Sequence, residues 1–140
     1  MWAGILLCLG AITGPSAFAE LASADAGRLM GVVLKQEAYL SLALGVCLLL
    51  VERRRRQDGS ERVGSVFSAN ILLLLGTLFC TVAGYFAVQP MMQAARAGQG
   101  AWSFAALHAV SGSLFVLKGL LVLALAWRLA PAVTVAATTS

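Results

Sequence analysis

Charge is what this sequence has least of. Asp, Glu, Lys and Arg make up 11% of its 140 residues, while apolar residues make up 60%. A soluble domain is roughly a quarter charged, and a chain this short leaves much of its surface facing water. Composition therefore excludes a soluble fold, and it excludes disorder as well. Histidine occurs once, which rules out a bis-histidine haem. Cysteine occurs three times, as Cys8, Cys47 and Cys80, each inside an apolar block and without CxxC or zinc spacing. That excludes a disulfide scaffold and a thiolate zinc site, so the thiols read as small buried apolar side chains. The chain has no P-loop, GxSxG, HExxH or dinucleotide fingerprint, the motifs that would announce phosphate binding or hydrolysis. No catalytic residue, cofactor or metal is expected.

What the chain does have is long apolar runs, with a mean hydropathy of +0.88. A spanning helix needs about 20 mostly apolar residues. Blocks 2–19 and 66–88 carry no charge. Block 29–51 is broken only by Lys35-Gln36-Glu37, and block 102–127 only by His108 and Lys118. The runs are continuous and rich in Leu and Ala rather than alternating, which favours helices over a barrel. The expectation is an all-α integral membrane protein, a single four-helix up-down bundle.

The first block has a rival reading. Ala17-Phe18-Ala19 before Glu20 is shaped like a signal-peptidase site. No basic segment precedes the apolar stretch, so a retained helix is expected. Gly14-Pro15 suits a helix-ending turn. The block is short for a span, which leaves room for a start codon upstream of Met1.

The net charge of +4 and pI near 9.4 could suggest nucleic acid, but the positions argue against it. Arg53, Arg54, Arg55, Arg56 and Arg62, half of the ten basic residues, share one segment between apolar blocks. That is the form of a positive-inside loop, here 52–65, and it predicts that both termini are cytoplasmic. Such a loop attracts anionic headgroups at about 1 kcal/mol per residue. The partner expected for it is the lipid bilayer and not nucleic acid. The opposite connections, 20–28 and 90–101, hold only Arg28 and Arg96 as basic residues. Short interfacial helices are expected there, at 23–29 and 91–97. Trp102 and Trp127 bracket the last block as an aromatic belt would.

The interval from Pro15 to Arg53 equals that from Pro90 to Arg128. Two parallel hairpin repeats would give this spacing, and so would two similar hairpins by chance. Gly10 and Gly14 form a GxxxG that permits close helix approach, either within the chain or in a homodimer.

Polar groups inside the spans are few. Asn70, Thr77, Thr81 and Tyr85 share one helical face, as do His108, Ser111, Gly112, Phe115, Lys118 and Gly119. Both faces should point inward, with Ser, Thr and Asn serving as hydrogen-bonding glue between helices. Counted up from the arginine side at 1.5 Å per residue, Lys118 lies about 13 Å and Glu37 about 21 Å deep. They can pair if the second and fourth helices are neighbours. Otherwise each acts alone, with Lys118 snorkelling and Glu37 protonated or facing water. Lys35, Glu37, Tyr85 and His108 are expected to cluster near the far side, in a role more structural than catalytic. Met30, Met91, Met92 and His108 offer copper-compatible donors, but no tight spacing joins them.

Several stretches together resemble a known family. They are Gly14-Pro15-Ser16-Ala17-Phe18, Ala26-Gly27-Arg28-Leu29-Met30-Gly31, Glu37-Ala38-Tyr39-Leu40, Tyr85-Phe86-Ala87-Val88-Gln89-Pro90-Met91-Met92 and Phe104-Ala105-Ala106-Leu107-His108-Ala109-Val110-Ser111. In this order they resemble the bacterial domain-of-unknown-function 4149 family, related to the transmembrane-protein-205-like proteins. The likeness spans about residues 4–129, with Gln-Pro-Met and Leu-His its more specific parts. It implies a four-helix integral membrane protein with no established activity and no assigned catalytic residue or cofactor. Pro15, Phe18, Gly27, Arg28, Gln89, Pro90, Met91, Leu107 and His108 match its pattern.

The expected role is that of a non-enzymatic accessory or assembly subunit, in a homo-oligomer or larger membrane complex. The alternative is a small ion, proton or metal transporter using Glu37, Lys118 and His108. A membrane enzyme with His108 as acid or base ranks last, because no nucleophile or metal constellation accompanies it.

Overall fold

A computed structural model describes residues 1–57 and 69–130. Arg62 and most of the basic loop lie outside the described residues. The described elements are helical, and four helices are long and apolar enough to cross a membrane. They are α1 (Trp2–Glu20), α2 (Ser23–Gln57), α3 (Ala69–Arg96) and α4 (Phe104–Leu129). The chain is a multi-pass membrane protein built as a helical bundle. Large apolar side chains such as Leu7, Leu72, Phe79 and Leu120 stand exposed around it, as lipid-facing positions do.

The main contacts run round a ring: α1 with α2, α2 with α3, α3 with α4, and α4 back to α1. α2 and α4 therefore face each other across the diagonal. Trp2, Leu6, Leu74, Val122 and Leu125 form one apolar cluster toward the arginine end. Val88, Met92 and Leu107 form another toward the far end. The buried polar groups, Glu37, Ser41, Thr77, Thr81 and Lys118, lie between the two.

Helix boundaries differ from the sequence reading at three places. The expected interfacial helix at 23–29 is not a separate element, and the one expected at 91–97 is an α-helical segment, Gln89–Arg96, that continues the third helix after a π-helical stretch. Ser23 begins the same helix that carries Glu37 and runs on through the start of the basic loop to Gln57. Arg96 ends the helix that begins at Ala69. Backbone hydrogen bonding continues through both stretches, because no residue there breaks it. Gly14-Pro15 likewise does not end α1, which continues to Glu20.

Proline is tolerated in α1 because the preceding turn is wider than an α-turn. Leu9–Thr13 is π-helical, and the Gly14 N–H reaches the Leu9 carbonyl five residues back. The Thr13 hydroxyl donates to the Cys8 carbonyl at 3.3 Å. A proline ring clashes with the carbonyl four residues back in a regular helix, and a π-turn relieves that crowding. The same device precedes Pro90, where Val82–Val88 is π-helical. The two halves thus share a wide turn followed by proline.

The turn from α3 to α4 depends on two glycines. Gly98 has φ 72° and Gly100 has φ 109°. The Gln99 N–H donates to Ala94 at 2.9 Å and the Gly98 N–H to Ala95 at 3.2 Å, the paired bonds of a Schellman cap. Ser103 then caps α4, its hydroxyl accepting from the Ala106 N–H at 3.2 Å.

Candidate functional site

Lys118 and Glu37 meet in the middle of the bundle. Lys118 Nζ donates to Glu37 Oε2 at 2.6 Å. Exposure is 4% for Lys118 and 6% for Glu37. The pair spans the α2–α4 diagonal, so adjacency of those helices is not what brings it together. Depth is. Glu37 follows Ser23, and Lys118 follows Phe104, by the same fourteen residues, so each lies about 21 Å from the far end of its helix. Counting from the arginine side puts them at unequal depths because α2 overshoots the other helices there.

A hydrogen-bond chain holds the carboxylate from its other side. The Ser41 hydroxyl donates to Glu37 Oε1, and the Trp2 indole N–H donates to Ser41 Oγ at 3.0 Å. Ser41 is one turn beyond Glu37 on the same helix face. The Phe115 ring lies 5.4 Å from Lys118 Nζ. Each charged head is thus paired, as a low-dielectric interior demands.

Beside the pair is a cavity of about 40 Å³, bounded by residues that include Cys80, Thr81, Gly84 and Leu114. That volume accommodates water, which needs roughly 10–15 Å³ measured this way. Leu34, Tyr85, Gln89 and Ser111 line this cavity and also a larger chamber of about 630 Å³. The chamber lies at the far end among all four helices, with Lys35, Arg28, Arg96 and His108 in its walls.

The four residues expected to cluster, together with Lys118, therefore divide between two adjoining spaces. Glu37 and Lys118 pair beside the inner cavity, Lys35 and His108 line the outer chamber, and Tyr85 borders both. Tyr85 also packs edge-on against Phe86, with ring centroids 5.0 Å apart. Of the residues matching the family pattern, Phe18, Gly27, Arg28, Gln89 and His108 line the chamber. Arg28 pairs with Asp25 at its rim. Met91 is exposed and lines none of these spaces, so the four copper-compatible donors do not converge.

Other expected roles need correction. Thr77 and Thr81 do not link helices. Their hydroxyls donate to the Leu73 and Thr77 carbonyls of their own helix, at 2.8 and 2.9 Å. Asn70 does link helices, accepting from Arg128 Nε at 3.0 Å and donating to Glu52 at 3.5 Å. Cys8 and Cys47 are exposed on the bundle surface, and only Cys80 is buried. Arg53 and Arg54 stand exposed near the end of α2, and the helix backbone carries Arg55 and Arg56 beyond them.

Gly10 serves packing inside the chain. A Cβ there would stand 3.1 Å from the Phe115 ring of α4. At Gly14 the nearest atoms are the Leu9 carbonyl at 3.4 Å and Met30 Cε at 3.9 Å. The sequence reading missed Ser41 and Trp2. The i, i+4 spacing from Glu37 could have found Ser41, but nothing local points from Trp2 to a partner 39 residues away.

The family model for Domain of unknown function (DUF4149) matches residues 1–101. The chain belongs to the DUF4149 family. The match takes in Glu37, Ser41, Tyr85 and the Gln89-Pro90-Met91 segment. It ends before α4, so Leu107, His108 and Lys118 lie beyond it. Neither the curated proteins nor the solved structures contain a match to the chain.

Proposed function

We propose that this DUF4149 protein is a non-enzymatic accessory or assembly subunit of a larger complex in the bacterial inner membrane, with both termini cytoplasmic. The observation that supports this is an open apolar groove of about 420 Å³ between α1 and α4. Its floor is small: Gly10, Ala11, Gly112 and Gly119 line it. A Cβ at Gly112 or Gly119 would meet nothing within 4 Å. Small residues let a second helix approach closely inside a membrane, where packing rather than the hydrophobic effect drives association. The helix received is that of a second copy or of a partner subunit. A relationship of the family to the transmembrane-protein-205-like proteins belongs to the same proposal. Extraction in native nanodiscs tests the reading. It predicts a stable homo-oligomer or a stoichiometric partner, lost in Gly112→Leu with Gly119→Leu. A monomer without partners overturns it.

A second reading is favoured by the adjoining chamber and cavity that lead to Glu37 and Lys118. In it the protein moves an ion, a proton or a metal, with His108 near the entrance. Flux into proteoliposomes that disappears in Glu37→Gln with Lys118→Met supports it. Absence of flux in the unaltered protein rejects it.

A further inference from the structure

We propose that the far-end chamber is a binding site for a phosphate-bearing anionic head group. Its volume of about 630 Å³ is that of a small-molecule pocket. Lys35, Arg28, Arg96 and His108 stand in its walls, and among the described residues no Asp or Glu does. Asp25 pairs with Arg28 and so offsets that wall cation, while Glu37 is taken by Lys118. Among the described residues, Lys35, Arg96 and His108 form no ion pair. The chamber thus holds a local excess of positive charge with polar donors, Gln89, Gln93 and Tyr85, beside it.

Arg96 is positioned for this work. Its guanidinium carbon lies 4.6 Å from the Phe104 ring centroid, and that ring stacks on His108 at 5.8 Å and 20°. The same guanidinium reaches across to α2 at Gly27, where a Cβ would stand 3.4 Å from Nη2. A side chain held in this way loses less freedom when it binds an oxyanion, and guanidinium geometry suits phosphate oxygens. Arg96 ends α3 and His108 lies about 6 Å into α4, the depth of lipid head groups. Basic residues close to a membrane surface attract anionic phospholipid head groups by charge. Phe18, Met30, Val32 and Met92 supply apolar wall beside them.

The test uses the full chain in nanodiscs of phosphatidylcholine with a minority of phosphatidylglycerol, reading retained lipid by native mass spectrometry. Preferential retention of phosphatidylglycerol is expected, weaker by about fivefold for each charge removed in Lys35→Gln and Arg96→Gln. Arg96→Lys is expected to keep most of it. Cys47→Ser, exposed on the bundle surface and outside the chamber wall, is expected to leave it unchanged. Added glycerol 3-phosphate separates the sources: competition identifies a soluble phosphate ester, and its failure identifies the lipid. Equal retention of both lipids without glycerol 3-phosphate binding overturns the proposal. So does unchanged retention in the Lys35 variant, which remains informative if Arg96→Gln does not fold.

Discussion

Ser41 Oγ stands between the Trp2 indole and the Glu37 carboxylate, accepting a hydrogen bond from the first and donating one to the second. Through it the first residue of α1 is tied to the ion pair that crosses from α2 to α4. Three of the four helices thus meet at one buried polar chain.

That chain makes single and double substitutions behave differently. Glu37→Gln or Lys118→Met alone leaves a buried charge without its partner, which costs about 3–5 kcal/mol. The double variant removes both charges, and most of that loss should return. Unfolding in mixed micelles measures it. A double variant as unstable as the sum of the two singles would mean that the pair is not the interacting unit.

Ser41 is 1% exposed, so its hydroxyl has no water to fall back on. Ser41→Ala should cost about 1.5–3 kcal/mol, the worth of a hydrogen bond to a charged group. Trp2→Phe keeps the packing against Leu6 and Leu74 but loses the indole N–H, and should cost about 1 kcal/mol. In the Ser41→Ala background, the Trp2 substitution should lose most of its effect. Additive costs in the same unfolding assay would break the chain.

The glycines at the α1–α4 face should separate into two kinds. Gly10→Val pushes against Phe115 and should destabilise the monomer by about 1–3 kcal/mol through overpacking. Gly119→Leu meets open space. It should leave monomer stability unchanged or slightly higher, since glycine is a poor helix former, while weakening association. Equal loss of monomer stability in both variants would show that the groove is closed in the membrane.

Reporter fusions at Gln57 and Gly98 test orientation. The arginines at 53–56 predict a cytoplasmic signal at Gln57 and the opposite signal at Gly98. A periplasmic signal at Gln57 would invert the topology, and with it the side from which the chamber is reached.

Much of this was legible along the chain. Lys118 and Glu37 stood out as charges in long apolar blocks, and a charge in hydrocarbon needs a partner or water. Tyr85, Lys35 and His108 were placed near one end from their positions in the runs. The threonines were misread. A hydroxyl in a helix can satisfy itself on the carbonyl four residues back, and Thr77 and Thr81 do so. Pro15 was misread as well. Whether Pro15 ends a helix or sits in one depends on a wide turn that residue type alone does not announce.

Low charge content by itself determined that the chain lives in a membrane, because 11% charged residues cannot cover a soluble surface of this size. The apolar runs determined the number of spans, since bilayer thickness fixes how long each must be. Tertiary structure decided which of the few charges meet. Pairing across a diagonal depends on where each helix begins, and Ser23 and Phe104 begin theirs at matching distances from Glu37 and Lys118. It also decided that Lys35, Arg96 and His108 share one chamber. Helical periodicity says which face a residue occupies, but only packing says what stands opposite.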